Sequence, residues 1–86
     1  GAGEVIARYN LGIWEQEADK MDRAVKHFLI AARAEHDKSL TTIRQLFMNG
    51  RATKDEFETA LRAHKEAKDE MKSDQREAAA AARGQN

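Results

Sequence analysis

The sequence predicts an all-α chain, an α-solenoid fragment of about four antiparallel helices arranged as two helix-turn-helix units. Three observations predict it. Apolar residues recur at helical spacing in four stretches that are separated by only a few polar residues. The 86 residues include no proline, and 35% of them are charged against 6% aromatic, a balance typical of helices rich in Ala, Glu, Lys and Arg. The first and third stretches also overlay at a fixed offset. A chain of this length holds one domain with one modest core.

Helix one is expected from about Glu4 to Glu17. Ala7, Leu11, Trp14 and Ala18 share a face, and Ile6, Tyr9 and Ile13 form a second apolar stripe beside it. A helix with two apolar stripes must be covered on two sides. Trp14, the single tryptophan, is read as a core residue. Asp19-Lys20-Met21-Asp22 forms the first turn, where either aspartate could cap helix two. Helix two runs from about Met21 to Glu35, with Met21, Ala24, Val25, Phe28, Leu29, Ala31 and Ala32 on one broad face and Arg23, Lys26 and Arg33 opposite.

His36-Asp37-Lys38 makes the second turn, solvated, with Asp37 as N-cap. Helix three, from about Lys38 to Asn49, buries Leu40, Ile43, Leu46 and Phe47. Asn49-Gly50 then ends it through the left-handed conformation that glycine favours. Thr53-Lys54-Asp55-Glu56 opens helix four with a capping box, threonine followed three residues later by glutamate. Phe57, Ala60, Leu61, His64 and Met71 carry its apolar stripe, His64 as a core-edge residue. Beyond Met71 the pattern fades toward Ala78–Ala82, which have high helix propensity and little to bury. The tail is expected to fray, with Gly84, Gln85 and Asn86 disordered. The domain thus divides into a first unit over 4–36, a second, degenerate unit over 37–72 and an Ala-rich tail over 73–86.

The two units carry an internal repeat. Ala7, Leu11 and Trp14 fall on Ser39, Ile43 and Leu46, each 32 residues on. Ala24, Lys26 and Phe28 fall on Ala60, Arg62 and His64 at an offset of 36, which implies a longer second turn. A period in the thirties with two helices per unit is the mark of an α-solenoid.

A-R-Y-N-L-G (Ala7 to Gly12), the D-x-A of Asp22 and Ala24, and A-A at Ala31-Ala32 resemble the Sel-one-like repeat, a relative of the tetratricopeptide repeat. The resemblance covers about 60 residues and is best over Ala7 to Glu35. It implies that the glycine of the first helix, Gly12 here, allows close helix contact. The second unit departs from the pattern. Arg44 stands where that glycine belongs, and Glu35 stands where a glycine usually follows the second helix. The resemblance implies a protein–protein interaction scaffold or adaptor with protein partners, no catalytic residues and no cofactor. Since the first helix of each pair lines the concave face in related repeats, it implies partner-binding positions at Arg8, Asn10, Glu15, Thr42, Arg44 and Gln45.

Other chemistries find little support. Fifteen basic and fifteen acidic residues balance, which argues against a whole-chain footprint for nucleic acid or an anionic membrane. R-A-H-K-E-A-K-D-E-M-K (Arg62 to Lys72) could suggest a nucleic-acid-binding module, but its acids nearly cancel its bases and no aromatic is interleaved. As a coiled-coil structural subunit it is poor, since Lys68 and Gln75 fall on the seam. His27, His36 and His64 lack the spacing of a metal-binding pair, there is no cysteine, and no phosphate loop or hydrolase motif is present. No apolar run approaches the roughly 20 residues of a membrane span, and the first residues lack a basic-then-apolar leader pattern. Gly3, 32 residues before Glu35, resembles the closing residue of an earlier helix pair. On that reading Ile6, Tyr9 and Ile13 are left uncovered, and self-association through helix one is expected.

Overall fold

The computed structural model describes residues 1–84, and these form four helices: α1 (Ala2–Glu17), α2 (Met21–Arg33), α3 (Asp37–Met48) and α4 (Lys54–Gly84). No strand occurs among the described residues. Gly84, expected to be disordered, closes α4 as a helical residue. Gln85 and Asn86 lie outside the described residues.

One turn geometry joins all four helices. At each junction a residue with positive φ follows the helix end: Asp19 (60°), Glu35 (63°) and Gly50 (75°). Two backbone hydrogen bonds close each turn. The first turn has Asp19 N to Gln16 O at 3.0 Å and Lys20 N to Glu15 O at 2.8 Å. The second has Glu35 N to Ala32 O at 3.0 Å and His36 N to Ala31 O at 3.2 Å. In the third, Gly50 N bonds Phe47 O at 3.0 Å and Arg51 N bonds Leu46 O at 2.7 Å. These are Schellman motifs, which satisfy carbonyls that the helix itself leaves free. Glu35 therefore ends α2 rather than extending it. The N-cap positions of α2 and α3 belong to Lys20 and His36, and neither makes a side-chain capping bond. Asp19, Asp22 and Asp37 are thus not the caps expected. The capping box of α4 is present in both directions: Glu56 N donates to Thr53 Oγ1 at 3.0 Å, and Thr53 N donates to Glu56 Oε1 at 2.8 Å.

α2 is the hub. It packs against α1, α3 and α4, and α3 packs in turn against α4. The core joins Ala24, Val25 and Phe28 of α2 to Ile43 and Leu46 of α3, Ala52 of the following turn and Ala60 of α4. Phe28, Ile43 and Val25 are fully buried, each stabilising by roughly 1.5–3 kcal/mol through removal from water. Gly12 lets α1 approach α2, since a β-carbon there would lie 2.5 Å from Phe28 Cε1. The corresponding Arg44 is exposed. α3 and α4 instead meet through the stacked rings of Phe47 and Phe57, 5.1 Å apart at 18°, and need no small residue at that point.

Candidate interaction surface

The inner side of α1 is settled by its packing. Tyr9 and Ile13 lie against the core, Gly12 is buried, and the Tyr9 ring sits 5.4 Å from Phe28 and 5.2 Å from His36. The other apolar stripe points away. Ile6 is 52% exposed, Leu11 46% and Trp14 75%. This corrects the sequence expectation in two respects. Trp14 is not a core residue, and the uncovered stripe is Ala7–Leu11–Trp14 with Ile6, while Tyr9 and Ile13 are the covered pair. Ala7, Asn10, Leu11, Ile13 and Trp14 together line an open groove. Solvent thus meets an apolar strip bearing a single amide, of the kind that marks protein contact sites.

The six polar candidates do not converge. Arg8 is half-buried, and its Nη1 donates to His27 Nδ1 at 3.4 Å. The Thr42 hydroxyl donates to the Lys38 carbonyl at 2.8 Å and so accepts from the Tyr9 phenol at 3.2 Å. Both side chains serve the junctions between helices. Glu15 is half-buried, and Arg44 and Gln45 are exposed on α3. Asn10 alone lies in the groove.

Sequence reasoning missed a polar network behind this surface. Ser39 is fully buried and bonds His36 Nδ1 at 2.7 Å. His64, 7% exposed, donates from Nε2 to Asp37 Oδ1 at 2.6 Å and ties α4 to the start of α3. That hydrogen bond holds the Asp37 carboxyl below its ordinary value, and the nearby His64, Lys68 and His36 charges add to it. His36 and Asp37 are therefore bonded within the fold rather than simply solvated. Because Ser39 and Asp37 engage different histidines, they do not form a serine–histidine–aspartate relay. A signal was present for one part of this: Ser39 is a hydroxyl on an apolar stripe, three residues after a histidine. Groups of three or more side chains able to hold a metal ion are absent among the described residues.

No family model, curated protein or solved structure matches the chain. Its functional reading therefore rests on its own residues and their arrangement.

Proposed function

We propose that this chain is a protein–protein interaction scaffold, an adaptor of stacked helical pairs as the Sel-one-like resemblance implies, and that it holds a protein partner on the open face of α1. One observation carries the reading. Ser39 and Ile43 are 0% exposed and Leu46 is 4% exposed. The residues 32 positions earlier, Ala7, Leu11 and Trp14, have the same spacing and are all apolar, yet all three are exposed. A stripe that is covered in the second unit stands bare in the first. In a solenoid such a stripe is where the neighbouring unit packs.

Of the polar candidates Asn10 lies in the groove and can hydrogen-bond a partner, while Arg44 and Gln45 are exposed on α3 as a separate patch. The test is affinity capture with the full chain as bait beside Leu11→Glu/Trp14→Glu. Both positions are exposed, so the variant should melt with the parent. A protein retained by the parent and lost by the variant is expected. Identical capture by the two baits would refute a role for this face.

A further inference from the structure

We propose that the occupant of the α1 face is a helical hairpin of another protein. Its second helix would offer an α2-type face, small side chains around one aromatic ring, and its connecting turn would carry a basic side chain opposite Asp19. This rests on the scaffold reading and specifies the partner.

The template is the junction between the two units of the chain itself. There α2 packs on α3 from the preceding unit, with Ile43 and Leu46 in one buried cluster with Ala24, Val25 and Phe28, and Ala52 and Ala60 of the second unit complete the cover. Two polar contacts cross the same junction. The Tyr9 phenol bonds Thr42 Oγ1, 33 residues on, at 3.2 Å. Arg51 Nη2 donates to Asp19 Oδ1, 32 residues back, at 2.7 Å, turn to turn.

Stepping the junction back by 32 residues replaces Ser39, Ile43 and Leu46 by Ala7, Leu11 and Trp14, Thr42 by Asn10 and Arg51 by Asp19. The apolar positions still ask for an α2-type face. Asn10, exposed in the groove, can donate to or accept from a hydroxyl of the incoming first helix. At the turn the charge is reversed. Within the chain the earlier turn is acidic and the later one basic. An incoming turn would meet Asp19, whose carboxylate accepts from Arg51 through Oδ1 yet stays open to solvent, so a basic side chain there gains a second contact to it while an acidic one is repelled.

A second copy meets only part of this requirement. Stacked head to tail, it would bring Arg51 to the turn. Its α4, however, carries Leu61, Lys65 and Lys68 where α2 carries Val25, Leu29 and Ala32, and the two lysines are exposed. Burying two ammonium groups against Leu11 and Trp14 without partners is strongly unfavourable. The α2 face of a second copy is already occupied by its own α3.

The experiment adds a unit to the full chain. Residues 4–35 are duplicated directly ahead of Glu4, which keeps the 32-residue spacing. The added unit carries Trp14→Phe, so the original tryptophan is the sole reporter. Two fusions are compared, one keeping the aspartate of the added turn and one with Asp19→Arg in that unit. Both should shield Trp14, with a blue-shifted emission and several-fold weaker acrylamide quenching as the site approaches the burial of Leu46. The arginine fusion should have the higher urea midpoint at low salt, an advantage that shrinks as salt screens the pair.

Trp14 as quenchable in both fusions as in the parent would overturn the hairpin as occupant. Equal midpoints at low salt would overturn the basic turn. A parent chain whose Trp14 becomes shielded as its concentration rises would assign the face to a second copy instead. Capture that depends on Trp14, together with an unshielded Trp14 in the fusions, would leave the scaffold reading standing without the hairpin.

Discussion

Replacing Gly12 by alanine places a methyl carbon 2.5, 2.7 and 2.9 Å from three carbons of the Phe28 ring. Ordinary carbon–carbon contact is about 3.5–4.0 Å, so the helices must separate by about 1 Å or the ring must move. Phe28 is fully buried at the hub of the core and flanked by Tyr9, so the ring can move only by displacing its neighbours. Moving α1 away instead would stretch the Tyr9–Thr42 and Arg8–His27 bonds. Helix propensity works in the opposite direction, favouring alanine by about 1 kcal/mol. Overpacking costs about 1–3 kcal/mol, more at contacts this short, so a net loss of about 1–2 kcal/mol is expected. For a chain of this size that lowers Tm by about 4–16 °C. Urea unfolding of Gly12→Ala, Phe28→Leu and the double variant measures it. In the Phe28→Leu background the methyl group should be tolerated, leaving Gly12→Ala neutral or stabilising. A single variant as stable as the parent, or a double variant with no coupling, would refute the packing role of Gly12.

Three further outcomes follow from the geometry. Glu35→Gly relieves a non-glycine residue at φ 63° and should raise stability by about 1 kcal/mol, seen as a higher urea midpoint; an unchanged midpoint would mean that the turn is unstrained. The Asp37 carboxyl, held below its ordinary 3.8 chiefly by the His64 hydrogen bond, contributes stability that is present above pH 3.8 and lost as pH falls through its lower folded value. Asp37→Asn should therefore flatten the acid limb of stability against pH, and superimposable limbs would exclude this pair as a contributor. Removing Glu77 to Asn86 should barely change the unfolding midpoint, because the residues of that segment described in the structure are all exposed, and their amides should exchange near the free rate; strong protection would show that α4 docks further along its length.

The four helices were legible because each opens on a 3.6-residue apolar pattern that no proline interrupts, and the capping box at Thr53 and Glu56 was legible as a local spacing. The shared turn was legible only at Gly50. Asp19 and Glu35 adopt the same conformation without the residue that signals it, so the end of α2 was misplaced by two residues. Trp14 was misread for a different reason. Periodicity shows that α1 has two apolar stripes, but which one meets α2 depends on Gly12 lying beneath Phe28, a contact 16 positions distant in sequence. The His64–Asp37 bond spans 27 residues and has no local signature. The six polar candidates were placed by resemblance, and α1 and α3 use two of them, Arg8 and Thr42, to hold the fold together.

α4 has a consequence for how this protein loses its structure. Its 31 residues make a rod of about 46 Å, within a molecule 57 Å in its longest dimension. From Lys68 to Gly84 every residue is exposed. That outer half is a helix with little burial beyond Met71 to couple it to the rest, so it obeys helix–coil statistics rather than the all-or-none law of the core. Ellipticity at the helical band will begin to decline well below the temperature at which Phe28 leaves the core, as a broad slope without a midpoint. A calorimeter will show no separate peak for it, since a transition of low cooperativity spreads its heat over a wide temperature range. The two instruments will disagree about where melting starts, and the difference between them measures the unsupported length of the rod.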